Sequence, residues 1–474
     1  MLFSSIIFLF YFLPIVLVLY YILKFSRTVQ NIFLLISSLV FYAWGESKYV
    51  LIMIISIILN YIFGIMVDRY RDNKKYAKII IFFMCAVNLS ILFVFKYIGF
   101  FVRNINELIG YDILNVPVLT LPIGISFFTF QALSYVIDVY RNEVKVQKNI
   151  FYLGLYISFF PQLIAGPIVR YSVIEDQIKN RVETFEKFGV GCCRFIAGLG
   201  KKVLISNSMA IITDRIFQMN SNASIPVSLA WIGSFAYTFQ IFFDFSAYSD
   251  MAIGLGLMFG FKFNENFNYP YISKSISEFW RRWHMSLGSW FRDYVYFPLG
   301  GSRVKNKDKI IRNLFIVWLL TGLWHGAEWT FIMWGLLNFI FIAFEKVLSF
   351  DKLKINNRFK HIYALFIINL GWVLFRSENL IEARKYFSNM FGMNGNSLWS
   401  DYTYMFFKEN IIFWVAAVVF STPVARKCNE YLIKKCVFYR EISLIYPIAI
   451  MGLFFVCVCY LVKGTYNPFI YFNF

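Results

Sequence analysis

The chain is predicted to fold as an all-α bundle that crosses a lipid membrane many times. Three observations lead there. Of its 474 residues, 59% are hydrophobic and only 15% are charged, against about 25% charged in a soluble domain. The apolar residues come in runs close to the ~20 residues that a helix needs to cross ~30 Å of hydrocarbon. The basic residues gather in short clusters between those runs, where the positive-inside rule places them. Backbone inside lipid must satisfy its own hydrogen bonds, so the runs are read as helices.

In chain order the expected spans are Leu2–Leu23, Asn31–Trp44, Tyr49–Met66, Ile79–Phe95, Val116–Val139 and Ile150–Ala165. They continue as Pro226–Phe259, Ile310–Trp324, Trp329–Val347, Ile362–Phe375, Ile411–Phe420 with its flanks, and Ile442–Val462. Several are short, so the expectation is one integral membrane domain over 1–474 with about 10–12 transmembrane helices. An aromatic tail at 463–474 follows. The first run has no basic segment ahead of it and no small-residue cleavage site before Lys24, so it reads as a retained span. The stretch Phe185–Phe217 mixes apolar and basic residues at helical spacing and is expected to form a half-embedded or amphipathic helix pair.

Charge sets an orientation. Lys24 and Arg27 follow the first run, five Lys and Arg between Arg69 and Lys78 follow the third, and Arg141, Lys145 and Lys148 follow the fifth. The intervening loops hold little charge. This alternation puts the N-terminus outside and the turn between Trp324 and Trp329 toward the outer face. The net charge of +19 is thus explained by topology. With no basic domain or motif, nucleic acid is not expected as a partner. The seven cysteines are scattered, and Cys192 and Cys193 are adjacent, so neither a disulfide framework nor a metal site is expected.

The histidines are His284, His325 and His361. His361 sits beside Lys360 at an expected helix start and reads as an interfacial residue. His284 lies in Phe279-Trp280-Arg281-Arg282-Trp283-His284, and His325 in Leu323-Trp324-His325-Gly326-Ala327. An ionisable group inside an apolar stretch is costly and marks a candidate functional site. A neutral imidazole there can accept a proton from an alcohol. Gly326 is expected to give the backbone freedom and leave room for a substrate. The residues alone leave a second reading equally open, a structural histidine bonded to a helix carbonyl. Asp244 and Asp250 also interrupt an apolar run. Each costs about 2.5–3.5 kcal/mol at a helix centre, so they should line a cavity or pair with Lys or Arg. Arg281, Arg282, Arg292, Arg303 and Lys305 form a basic stretch that would suit the phosphates of coenzyme A, although the positive-inside rule produces such a stretch without any ligand.

At these motifs the sequence resembles the membrane-bound O-acyltransferase family, and most closely its bacterial branch that O-acetylates alginate or peptidoglycan. The resemblance runs from Met1-Leu2-Phe3-Ser4-Ser5 through Phe159-Phe160-Pro161-Gln162-Leu163-Ile164-Ala165-Gly166-Pro167 and Phe243-Asp244-Phe245-Ser246-Ala247-Tyr248-Ser249-Asp250 to the two histidine motifs. It implies a ring of helices around a transmembrane tunnel, with short re-entrant or amphipathic helices. His325 would be the essential catalytic residue and His284 would line the cytoplasmic part of the tunnel. Asp244, Trp283, Trp324, Arg281 and Arg282 are tunnel or donor-binding candidates. No bound cofactor is implied; acetyl-CoA would be the thioester co-substrate.

The resemblance further implies a bacterial cell membrane, an acyl donor from the cytoplasm, a polysaccharide acceptor outside, and a secreted SGNH/esterase-like acetyltransferase as partner. The ending Asn467-Pro468-Phe469-Ile470-Tyr471-Phe472-Asn473-Phe474 looks like a terminal motif of related cell-wall acylation systems in which the tyrosine carries the acyl group, making Tyr471 a candidate carrier. An interfacial aromatic anchor explains the same residues. The competing functions are D-alanyl transfer to teichoic acid, transport of acyl groups or glycans without ester chemistry, and acylation of a lipid.

Overall fold

A computed structural model of the chain describes residues 1–164, 166–304, 306–435, 439–464 and 466–470. Lys305 and Tyr471 lie outside the described residues. Among those described, the secondary structure is helical, with no strand. Nine helices are long and apolar enough to cross a membrane, and the pair Asp401–Glu409 and Ile411–Phe420, bent by 66°, makes a tenth if it is one broken span. The protein is a multi-pass membrane protein.

The difference from the expected list has local causes. The segment 112–124 is irregular, and a helix forms only from Ile125 to Arg141. Pro117 and Pro122 lack the amide proton a helix needs and push their predecessors out of the helical region. Most of that helix is buried. The expected span at Ile150 is broken instead: Ile150–Ser158 ends at Phe159, which adopts ψ 110°, and a short turn Phe160–Leu163 carrying Pro161 follows. The expected helix pair at Phe185–Phe217 is one continuous helix, Phe185–Asn222, widened to π geometry over Lys201–Ser206. Its basic residues did not mark an interfacial face. Lys202 and Arg194 turn inward, because Asp244 and Asp250 neutralise them.

The chain divides into two compact units, Met1–Phe195 with Ser249–Asn264, and Ile196–Tyr248 with Glu265–Phe474. The first is held by buried polar pairs within an apolar frame. Asn60 and Asn88 exchange side-chain amide bonds of 2.9 and 3.0 Å. Glu183 gathers Tyr20, Arg27 and Arg181, and the Arg181 guanidinium stacks 4.4 Å over Phe261. Arg194 Nη2 meets Asp250 at 2.9 Å.

In the second unit, Lys307–His325 and Trp329–Val347 form a helical hairpin. A Cβ on Gly322 would stand 2.6 Å from the Phe331 carbonyl oxygen, and one on Gly335 would stand 2.5 Å from that of Trp318. Small residues let these two backbones meet, as membrane helices require. The short helix Ile276–Arg282 is capped from a distance. Glu345, 5% exposed, accepts the backbone N–H of Ile276 at 2.6 Å and of Ser277 at 2.9 Å, while Ser275 Oγ accepts that of Glu278. Lys360 is buried beside it in sequence terms only: its ammonium donates to the carbonyls of Phe350, Asp351 and Leu353.

Candidate functional site: a histidine in an aromatic cage

The hairpin carries His325 at the last turn of its first helix, next to the turn that starts the second. The imidazole is 4% exposed. Three rings meet it nearly edge-on: Trp324 and Trp334 at 4.9 Å between centroids and Phe375 at 5.2 Å. His325 lines a cavity with Ile241, Phe245, Trp280, Trp283, Trp334, Trp372 and Phe375. The free volume is about 10 Å³, near the minimum that holds one water. No thioester fits that space, so admitting one requires displacement of at least one lining ring.

The cage is tied down from outside. Trp280 Nε1 donates to Asn338 Oδ1 at 2.8 Å, and Asn338 in turn donates to the Trp334 carbonyl at 2.9 Å. The Glu345 cap fixes the helix that presents Trp280 and leads into Trp283. Gly326 serves a purpose other than the one expected. Its φ of −167° is extended backbone that any residue adopts, and the space beside it is filled: a Cβ there would stand 2.1 Å from the Phe331 ring. Gly326 makes room for Phe331, not for a substrate.

His284 is also buried, at φ +45°, a left-handed conformation in which a non-glycine residue is held against its own preference. The backbone N–H of Ser286 donates to Asn266 Oδ1 at 3.2 Å, which fixes the orientation of that amide. The same oxygen lies 2.9 Å from Ser286 Oγ and 3.2 Å from His284 Nδ1. An oxygen there accepts, so Nδ1 of His284 carries the proton and Nε2 is its basic nitrogen. Burial pushes this imidazole down to about 3, so it is neutral across physiological pH. Phe245 packs edge-on against it at 4.5 Å, and Trp324 lies at 6.0 Å. Trp324 thus touches both histidine rings, and the two motifs converge on one aromatic cluster.

The other sequence candidates are placed as follows. Trp283 lines the cavity. Asp244 sits on the same helix as Ile241 and Phe245 but pairs with Lys202, at 2.5 Å, both side chains being 2% exposed. Arg282 is held by Glu278 at 2.9 Å and Arg292 by Asp293 at 2.8 Å, while Arg281 and Arg303 are exposed. Burial pulls the Glu278 carboxyl upward, but the Lys274 N–H and the Arg282 guanidinium hold it below its ordinary value. His361 is half-buried, its Nδ1 2.9 Å from the Ser273 carbonyl. Among the described residues no group of three or more His, Cys, Asp or Glu comes together to hold a metal ion. Asn266, Ser286, Asn338 and Glu345 were missed from sequence. Glu345 and Asn338 could have been found by the cost argument that found Asp244, since both interrupt the apolar run Trp329–Val347.

A helical membrane protein with a neutral, buried histidine closed in by tryptophans is built for chemistry away from water. The chain belongs to the membrane-bound O-acyltransferase family, whose model matches residues 71–381, and it is an O-acyltransferase. It is 43% identical over 395 residues to the "Probable alginate O-acetylase AlgI" of Pseudomonas aeruginosa, covering 82% of this chain and 75% of that protein. It is 38% identical over 432 residues to the "Peptidoglycan O-acetyltransferase" of Helicobacter pylori, with coverage of 84% and 81%. A "Teichoic acid D-alanyltransferase" of Bacillus subtilis is 32% identical over 266 residues, 53% of this chain and 67% of that protein.

Proposed function

We propose that the protein transfers acetyl from a cytoplasmic thioester, acetyl-CoA, to hydroxyls of an extracytoplasmic polysaccharide, with His325 as general base. The observation that carries this reading is the burial of His325 at the wall of a closed aromatic cavity. Relatives named for alginate and peptidoglycan O-acetylation cover more than four fifths of the chain, whereas the D-alanyl relative covers about half. Acetyl transfer is therefore favoured over D-alanyl transfer.

The chemistry balances without a cofactor. The imidazole takes the hydroxyl proton as the oxygen attacks the thioester carbonyl. The O–C bond forms, the C–S bond breaks, and the imidazolium returns its proton to the leaving thiolate. The cage excludes water, which would otherwise hydrolyse the thioester. The basic clusters in the sequence favour an N-terminus outside and His325 toward the outer face. On the same reading Tyr471, which lies outside the described residues, is the first acceptor: its phenol is acetylated with His325 as base, and the acetyl passes to a secreted esterase-like partner.

His325→Ala in the full chain is expected to abolish acetylation of the envelope polysaccharide, measured by mass spectrometry, while the protein still inserts and accumulates. Acetylation at the normal level in that variant would refute the assignment. Acetyl label on purified protein should map to Tyr471, and label that survives Tyr471→Phe ends the carrier role.

A further inference from the structure

The segment Tyr466–Ile470 is strapped into the second unit by a set of buried polar groups. Lys202 Nζ donates to the Pro468 carbonyl. The Ile470 N–H donates to Asp244 Oδ2 at 2.8 Å. Asn207 Nδ2 donates to Asn467 Oδ1 at 3.2 Å. The Phe469 ring lies 4.7 Å from that of Tyr248 and 6.0 Å from the Lys202 ammonium. Upstream, the Tyr466 hydroxyl donates to Asp214, which also holds Arg376 at 2.8 Å. Phe469 and Ile470 are buried.

An ion pair inside an apolar bundle needs a reason. Replacing such a pair by packed hydrophobic residues is often neutral or stabilising. Here each partner also meets a main-chain group of the strap: the cation takes a carbonyl, and the carboxylate takes an N–H. Neither bond can be made by a hydrophobic substitute. The position is equally specific. Ile241 and Phe245 of the Val227–Met258 helix line the His325 cavity, and Phe245 packs on His284. Asp244 and Tyr248, on the adjoining stripe of the same turns, hold the strap.

We propose that Lys202 and Asp244 are positioning residues that dock the Asn467–Ile470 strap, so that the residues following Ile470 start from the helix turn that carries the cavity wall. This deepens the reading of His325 as the reaction centre and rests on it. The pair acts through the strap and touches no reacting atom.

The test uses the full chain in proteoliposomes, with an Ile470→Cys reporter whose alkylation by maleimide is read at that site by mass spectrometry. Acetyl transfer is measured in parallel, and each variant is compared with the reporter alone. The double variant Lys202→Met with Asp244→Leu removes both docking groups and leaves no buried charge. It is expected to accumulate normally, to label at position 470 roughly tenfold faster or more, and to lose transfer rate with the donor KM unchanged. Reporter protection and transfer both equal to the parent would overturn the dock and leave a structural ion pair. In a second arm, Tyr248→Cys and Phe469→Cys are joined by a short bifunctional reagent. A docked strap tolerates this, and transfer should persist; loss of transfer restored by cleaving the link would overturn a fixed dock. If the parent protein makes no ester at all while its strap stays protected, the acyl-transfer reading fails and the dock does not.

Discussion

Replacing Glu345 by alanine should unseat the segment that frames the reaction cavity. Glu345 belongs to Trp329–Val347, yet its carboxylate closes the start of Ile276–Arg282 by accepting two backbone N–H groups, at 2.6 and 2.9 Å. A net hydrogen bond to a charged acceptor is worth about 1.5–3 kcal/mol, and a buried donor left without one costs about 1–3 kcal/mol. The two bonds share one carboxylate and do not add fully, so the loss is roughly 3–5 kcal/mol. Ser275 still caps Glu278, which keeps the loss from being larger. Glu345→Gln retains one acceptor oxygen and presents an amide donor to the other N–H, so about half of that loss is expected. The measurement is the thermal unfolding midpoint in detergent alongside the acyl-transfer rate. Both should fall in the order Gln, then Ala, because Trp280 and Trp283 ride on this helix and on the residue after it. An alanine variant with wild-type midpoint and rate would show that the carboxylate does not hold the cage.

Other outcomes follow from the same geometry. His284 has a folded pKa of about 3, depressed from about 6.5 in an unfolded chain. Unfolding therefore takes up a proton, and the stability contributed by the neutral ring is complete above about pH 6.5 and declines as pH falls toward 3. Midpoints measured between pH 7.5 and 5 should drop, and His284→Asn should flatten the trend; an unchanged slope would sink the assignment. Gly335→Leu must push the hairpin apart, since even a Cβ would meet the Trp318 carbonyl oxygen at 2.5 Å. It should reduce accumulation and transfer severely, with Gly335→Ala milder, and a leucine variant of normal level and activity would contradict the close approach.

The helical membrane fold was legible because hydropathy and charge act at the scale of whole segments. Errors arose where one residue overrides its neighbours. Pro122 delays the helix at Ile125, Phe159 with Pro161 breaks the one at Ile150, and Asp244 and Asp250 pull Lys202 and Arg194 inward. The two histidines stood out as costly groups in apolar surroundings. Their orientation did not, because it depends on Asn266 and Ser286, which meet His284 only after the chain has turned. Gly326 shows the same limit. Its neighbour in space, Phe331, decides its role, and five residues of sequence do not reveal which way that ring points.

The widened turn at Lys201–Ser206 has a consequence for how this chain tolerates length changes. A π turn amounts to one extra residue accommodated without breaking the helix. Removing a single residue there would restore ordinary winding and rotate everything downstream by about 100°. Asn207 and Asp214 would then swing away from Asn467, Tyr466 and Arg376, while Arg194, upstream, would keep facing Asp250. A one-residue deletion in the middle of this helix should therefore spare the insertion of its first half and disconnect the end of the chain.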